Sequence, residues 1–439
     1  MLGYFGTDGI RGVPFRFPLT ERMIEKIGFA CAKVLCDSKK TVFVARDTRE
    51  SGKKIIFHLV KGLNSAGMKV YNLGIITTPA LSYLLSVKKP SFGIMVSASH
   101  NPPRYNGIKV FDSKGNKIDL NKENAIESIV DSNIELSQVN VLSCRLNIID
   151  DYIDYVVSSF RAIKNDVVPI IDCSNGSAFK IAPEIFKRLG FRYMLIGSKP
   201  NGKNINVGCG ALDNSLVKRY LKGKKYWGGI SYDGDADRCI VTDEKGRVID
   251  GDDIIMLAAT YYFRKKTKNR VVVLTKMSNY GLVKYLSDMN IKVVIVDVGD
   301  KNVVKAMKEN GALLGGESSG HIIFSNYLWT GDGIITSLEF LRICGKLGIT
   351  PSTVRKMWQR YSSVLKSYKV LNKYPLENLQ DLDSFIQKEQ KNIEGRIVLR
   401  YSGTEPLLRI LVEGKKDKKY LLKLSDKIYD VYKNAVSAI

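Results

Sequence analysis

Met23, Ile27, Ala30 and Val34 recur at helical spacing behind Thr20, so LTERMIEKIGFACAKVL predicts a capped amphipathic helix. TVFVARD follows as a buried strand, GKKIIFHLVKGLNSAG as a helix ending at Gly67, and KVYNLG as the next strand. After TTPAL a further helix begins, with Thr78 as its cap and Pro79 in its first position. The alternation then repeats. Beyond a linker near Asp150, VVPIIDCSNGSAFKIAPEIFKRLG reads as strand, loop and helix, with Ile181, Ile185 and Leu189 on one face, and FRYMLIG as a strand. From Gly251 a third set runs helix, strand, helix, strand through DDIIMLAATYYFRK, RVVVLT, NYGLVKYLSDMN and KVVIVDVG.

Strands alternating with helices at this spacing predict α/β units over mainly parallel sheets. From about Tyr361 the order changes to strand (SYKVLN), helix (DLDSFIQKEQK), two strands (RIVLRYSG, LLRILVEG) and a last helix with Leu422, Leu424, Ile428 and Val431 along its apolar face. The expected fold class is α/β: three similar α/β domains with mixed, mainly parallel sheets at residues 1–149, 150–250 and 251–360, and a smaller C-terminal α+β domain at 361–439. A chain of 439 residues, at about 150 per domain, suggests roughly three domains and admits two or four.

Composition narrows the class further. With 44% hydrophobic and 26% charged residues the chain has ordinary globular balance, which excludes wholesale disorder. No apolar run approaches the roughly 18 to 20 residues that span a bilayer, and the start MLGYFGTDGIRG has neither a basic nor an apolar leader region, so a cytoplasmic protein with no membrane partner is expected. The seven cysteines are scattered and never spaced C-x-x-C, which speaks against a disulfide framework and a structural zinc site. The formal charge of +24 admits a basic nucleic-acid-binding protein, but the lysines are spread through KKTVFVARD, RKKTKNR and GKKDKKY without an accompanying recognition motif. Most of that charge reads as solvated surface, and nucleic acid is not the expected partner.

Neither a phosphate-binding P-loop nor a G-x-G-x-x-G turn after a strand is present, so nucleotide cofactors have no fingerprint. Four other stretches carry chemistry. In VSASHNPPRYNGIKVF a strand runs into a turn rich in Pro, Asn and Gly, a place where the Ser99 hydroxyl can be held in one orientation with His100 and Lys109 near in sequence; the alternative is a loop whose side chains merely cap backbone groups. In SYDGDADRCIV, Asp233, Asp235 and Asp237 alternate, and three carboxylates gathered so closely suit a hard cation, magnesium or calcium. A calcium EF-hand fails because Arg238 stands where that loop needs Gly and the flanks read as strand and hairpin.

The third stretch, GALLGGESSGH, offers Glu317 and Ser319 to hydroxyls or an amine of a polar ligand, and His321 to a proton; His58 in IIFHLV reads as a packed helix residue. The fourth, RYSGTEPLLR, gathers Arg400, Ser402, Gly403, Thr404 and Arg409 around a turn that can enclose a phosphate. A nucleophile, a metal loop, a polar-ligand loop and a phosphate clamp, one from each domain, together imply phosphoryl transfer on a phosphorylated polyol in a central cleft.

SASHNP, DGDADR, GGESSGH and RYSGTEP in this order resemble the α-D-phosphohexomutase superfamily along essentially the whole chain. FGTDGIRG at the N-terminus, ARDTRESG after the first predicted buried strand, and NINVGCGA over Asn204 to Ala211 look most like its bacterial phosphoglucosamine mutase branch. The resemblance implies that Ser99 carries a phosphoryl group, that Ser99, Asp233, Asp235 and Asp237 bind one Mg2+, and that a hexose 1,6-bisphosphate is intermediate and activator. It further implies that Lys109 is the general acid/base with His100, His321, Arg11 or Arg238 as helpers. Glu317 and Ser319 would hold sugar hydroxyls, and Arg400, Ser402, Gly403, Thr404 and Arg409 the non-reacting phosphate, in a monomer or homodimer. Two positions depart from the usual pattern: Ser318 stands where Gln, Met or Glu is common, and Ala236 replaces a glycine, a change tolerated where φ is negative. The same chemistry on glucose or mannose phosphates and a catalytically silent sugar-phosphate sensor are the competing readings.

Overall fold

The structure, a computed structural model, describes residues 3–164, 166–223, 225–264, 269–402 and 406–437. The first sheet comprises β1 (Ile10–Gly12), β2 (Thr41–Arg46), β3 (Lys69–Ile75), β4 (Phe92–Val96), β5 (Asn106–Asp112) and β6 (Ser143–Arg145), in the order β1-β5-β4-β2-β3-β6. Its central strands are parallel, whereas β5 returns antiparallel beside β4. The second sheet, β7 (Ile170–Asp172), β8 (Met194–Ile196), β9 (Gly228–Tyr232), β10 (Cys239–Asp243) and β11 (Val248–Ile249), is ordered β11-β10-β9-β7-β8. The third, β12 (Val271–Thr275), β13 (Lys292–Val296), β14 (Leu314–Gly316) and β15 (Ile322–Phe324), is ordered β13-β12-β14-β15.

One unit recurs in all three sheets. A strand parallel to its inner neighbour (β4 on β2, β9 on β7, β14 on β12) ends in a loop, and the chain returns antiparallel beside it as β5, β10 or β15. The strands β4, β9 and β14 are buried along their whole length. The loops at their carboxyl ends are therefore fixed to the core, the usual place for ligands in α/β sheets.

The chain forms two compact units, one running up to Lys276 with Val294–Arg355, the other Met277–Val293 with Lys356–Ile439. In the second, β16 (Ser362–Lys369), β17 (Arg396–Tyr401) and β18 (Leu407–Gly414) form an antiparallel sheet in the order β16-β18-β17. The helix Tyr280–Asp288, placed by sequence in the third α/β domain, sorts with this unit. Just before it, the Asn279 side-chain amide donates to Tyr361 O and Glu413 Oε1.

Several local expectations shift by a residue or more. Thr77, not Thr78, caps the helix Thr78–Lys88 by accepting from Ala80 N, because the Thr78 hydroxyl is committed to Asp235 at 2.6 Å. In the last helix, Lys418–Ser437, Leu421 is fully buried and Leu422 is exposed; two adjacent leucines left the helical phase open by one position. Asp150 lies in the first turn of the helix Ile149–Ser159 rather than in a linker. The strand expected over FRYMLIG contracts to β8, while Thr20 caps the first helix as expected and His58 is a buried helix residue with Nδ1 2.9 Å from Glu25 Oε1.

Candidate active site

Beyond β4 the chain turns tightly, with Asn101 N donating to Ala98 O and Tyr105 N to Pro102 O. Ser99 sits at φ +51°, a conformation that L residues avoid, and Ser97 supports it by accepting the Ser99 N–H on its Oγ at 2.9 Å. Fully buried, Ser99 aims its hydroxyl at Asp233 Oδ2, 2.5 Å away. His100 Nδ1 lies 3.3 Å from the same hydroxyl.

The aspartate loop follows β9. Gly234 approaches the serine turn so closely that a Cβ there would meet Ser99 O at 2.6 Å. Asp233, Asp235 and Asp237 are all buried, each with a carboxylate oxygen within 4.8 Å of the others. Burial first, then the charges on Asp237 and Asp235, push the Asp233 carboxyl well above the ordinary range. Lys109 Nζ reaches Asp235 Oδ2 at 2.7 Å, Asp8 Oδ2 at 3.1 Å and Asp237 Oδ2 at 3.2 Å. These carboxylates outweigh the burial that would discharge the amine, so Lys109 is held as an ammonium. The other oxygens of Asp235 and Asp237, their Oδ1 atoms, are buried without a hydrogen-bond partner. An all-oxygen donor set with two orphaned carboxylate oxygens and mutual repulsion fits a divalent cation.

Ala236, inside this loop, has φ +58°, so the condition under which alanine would be tolerated there is not met. The turn that lets Ala236 N donate to Asp233 O and brings Arg238 N to Asp233 Oδ1 requires the left-handed region, which explains why glycine would suit it.

Arg11 donates to Asn101 Oδ1 at 3.1 Å and pairs with Asp8; Arg238 Nε lies 3.9 Å from Asp237 Oδ1. Both guanidiniums retain an Nε–H without a hydrogen-bond partner. Burial, followed by the charges of Arg238 and Arg11, pushes His100 down to about 4, so its imidazole is neutral near pH 7. His321 stands between Asp237 at 3.8 Å and Asp300 at 3.9 Å; these carboxylates overcome burial and raise it. In the loop after β14, Ser319 Oγ donates to Glu317 Oε2 at 3.2 Å, while Glu317 Oε1 accepts from Gly299 N at 3.0 Å. Lys117, absent from the sequence reading, bridges Asp8 and Asp300.

Residues 3–137, 150–246, 250–361 and 368–431 match, in turn, the alpha/beta/alpha domains I, II and III and the C-terminal domain of phosphoglucomutase/phosphomannomutase. A phosphoglucosamine mutase of Chlamydia trachomatis is 38% identical over 99% of this chain and 97% of its own, and one of Campylobacter hominis 37% identical over 99% of both. The chain belongs to the phosphoglucomutase/phosphomannomutase family. Solved structures agree on the fold: a family protein of Burkholderia thailandensis superposes with a TM-score of 0.81 at 23% identity, covering 99% of this chain and 97% of that one. An Aspergillus fumigatus N-acetylphosphoglucosamine mutase, in complex with GlcNAc-6P and magnesium, gives 0.66 at 18% identity over 98% and 96%.

Of the residues expected from sequence, this member of the phosphoglucomutase/phosphomannomutase family gathers Ser99, His100, Lys109, the three aspartates, Arg11, Arg238 and His321 through the contacts above. Arg400, Ser402 and Arg409 lie in the C-terminal unit, where Arg400 and Arg409 are directly paired across β17 and β18. Gly403 and Thr404 lie outside the described residues. Sequence reading missed Asp8, Lys117, Asp300 and Thr78; Asp8 alone had a signal, its place in FGTDGIRG.

Proposed function

We propose that the protein is a phosphoglucosamine mutase, interconverting glucosamine 6-phosphate and glucosamine 1-phosphate through phosphorylated Ser99 and a 1,6-bisphosphate intermediate. The observation that carries the reading is the Ser99 hydroxyl, 2.5 Å from a buried carboxylate of an aspartate triad, in a chain 38% identical along its length to a phosphoglucosamine mutase. Magnesium held by Asp233, Asp235, Asp237 and a phosphoserine oxygen would supply charge neutralisation at the transferring phosphoryl group.

In the first half-reaction a sugar hydroxyl oxygen bonds to phosphorus as the bond from phosphorus to Ser99 Oγ breaks. The hydroxyl proton ends on Ser99 Oγ, where the structure orients it toward Asp233. Lys109 is the principal proton carrier, with neutral His100, His321, Arg11 and Arg238 as helpers. The free Nε–H groups of Arg11 and Arg238 suit the anionic oxygens of the moving group. Glu317 and Ser319 bind sugar hydroxyls in both orientations of the bisphosphate, which turns end for end before the second transfer restores phosphoserine. Arg400, Ser402, Gly403, Thr404 and Arg409 grip the other phosphate. Arg400 and Arg409 stand directly opposite each other across β17 and β18, which supports a shared role for them.

The reading places the enzyme in the cytoplasm as a monomer or homodimer, with a hexose 1,6-bisphosphate as activator. Among the described residues no helix is long and apolar enough to cross a membrane. Intact mass and turnover of wild type and Ser99→Ala test the mechanism: loss of about 80 Da and of activity together is the expected result. Turnover retained by the variant would overturn it. Faster turnover of mannose or glucose phosphates would move the substrate within the same mechanism.

A further inference from the structure

The NINVGCGA stretch has no part in the mechanism above, yet one of its side chains holds the serine turn. Asn206, between β8 and β9, donates from Nδ2 to Ser99 O at 2.9 Å and to Asn101 O at 3.2 Å. These are the two carbonyls that fully buried Arg49 also binds, at 3.0 Å and 2.7 Å. Arg49 follows β2 in the sheet that carries Ser99 itself, so its grip fixes the turn within that sheet. Asn206 belongs to the sheet that carries the aspartates, and its own N–H donates to Ser174 O at 2.9 Å. Its backbone stands at φ +58°, which asparagine adopts more readily than most residues. A Cβ on Gly234 would lie 3.1 Å from Asn206 Nδ2, so the carboxamide sits between the aspartate loop and the serine turn.

We propose that Asn206 is a positioning residue for phosphoryl transfer: its carboxamide fixes the Ser99 peptide relative to the aspartate loop and so sets where the Ser99 oxygen stands against Asp233. The inference rests on the reading that Ser99 carries the phosphoryl group. Displacement of a reacting oxygen by about 1 Å lowers a rate by roughly two orders of magnitude without weakening remote substrate contacts.

Two variants separate the amide from the backbone. Asn206→Gly keeps the left-handed conformation and deletes the donor, whereas Asn206→Asp keeps the shape and turns an acceptor on two carbonyl oxygens. Both are expected to lose about 10- to 100-fold in kcat on glucosamine 6-phosphate with KM within about threefold, Asn206→Asp the more severely. Hydrogen–deuterium exchange in residues 97–106 should quicken in both, while Asn206→Gly melts near the wild-type temperature. A wild-type kcat in Asn206→Gly, unaltered exchange in that turn, or a kcat loss that follows a collapse in melting temperature would each overturn the proposal. Inactivity of the wild-type enzyme on every hexose phosphate would count against the function, and the exchange measurement would still decide the positioning.

Discussion

The side chains of Ser99 and Asp233 meet at 2.5 Å although 134 positions separate them, and the hydroxyl is the donor. That contact joins the loops of two different sheets. It also leaves Asp233 crowded by two further carboxylates in a buried pocket, a state stabilised when a cation is present and strained when it is not.

Asp233→Asn replaces the carboxyl whose ionisation burial and the other two acids oppose with a group that stays neutral at no cost. The variant free of divalent metal is therefore expected to melt higher than metal-free wild type, and magnesium, expected to raise the wild-type midpoint, should move the variant less. Outer partners of metal ligands already contribute about 10-fold or more to affinity, so loss of a proposed direct ligand should weaken magnesium by at least that factor. Thermal melts across a magnesium titration read both effects. A metal-free variant less stable than metal-free wild type would contradict the crowding argument.

Lys109 compensates Asp8, Asp235 and Asp237 from a position that is 1% exposed. Lys109→Met leaves those carboxylates without their ammonium, a change of about 3–5 kcal/mol against the folded state. Magnesium should recover part of this stability by offering positive charge to the same acids, yet turnover should stay at least about 100-fold down if Lys109 is the proton carrier proposed above. Urea midpoints with and without magnesium, measured beside activity, separate the two roles. Recovery of activity with magnesium alone would remove Lys109 from the chemistry.

At Ala236 the left-handed angle of +58° disfavours any residue with a Cβ by about 1–2 kcal/mol, against about 0.5–1 kcal/mol of extra unfolded-chain entropy for glycine. Ala236→Gly should thus stabilise the fold by up to about 1.5 kcal/mol. Chemical denaturation decides the sign, and a lower midpoint in the variant would show that the loop gains more from the buried methyl than it loses in strain.

The site was legible in sequence wherever its parts are contiguous. Asp233, Asp235 and Asp237 announce themselves by alternation, and Ser99 by the rigid turn around it. What escaped depends on distance in the chain: Lys117 meets Asp8 and Asp300 only because loops of the first sheet come up to the first turn of the helix Asp300–Asn310. The fold class followed the same rule. Alternating strand and helix patterns predicted the three α/β sheets, yet nothing local in NYGLVKYLSDMN says that Asn279 will bond Tyr361 and Glu413. Thr78 looked like a cap because threonine caps helices, but its hydroxyl reaches an aspartate far along the chain.

A last prediction concerns Asp332, which caps the helix Gly333–Leu347 by accepting from Ile334 N and Ile335 N, and accepts from Tyr152 OH at 2.7 Å. Burial outweighs these donors and pushes its carboxyl up to about 6 from the ordinary 3.8. Between those values the folded protein keeps a proton that the unfolded chain has released. Stability contributed by this group is therefore intact below about pH 4 and declines as pH rises toward about 6, a difference on the order of 3 kcal/mol for a group so fully buried. Asp332→Asn retains an acceptor for the helix N–H groups and has no proton to lose. Relative to wild type, the variant should gain stability between about pH 4 and pH 7, read from urea midpoints at several pH values; Asp172, also raised to about 6, contributes equally to both proteins and drops out of the comparison. A difference that stays flat with pH, or moves in favour of wild type, would mean that the Asp332 carboxylate is stabilised in the fold by its three donors more than burial destabilises it.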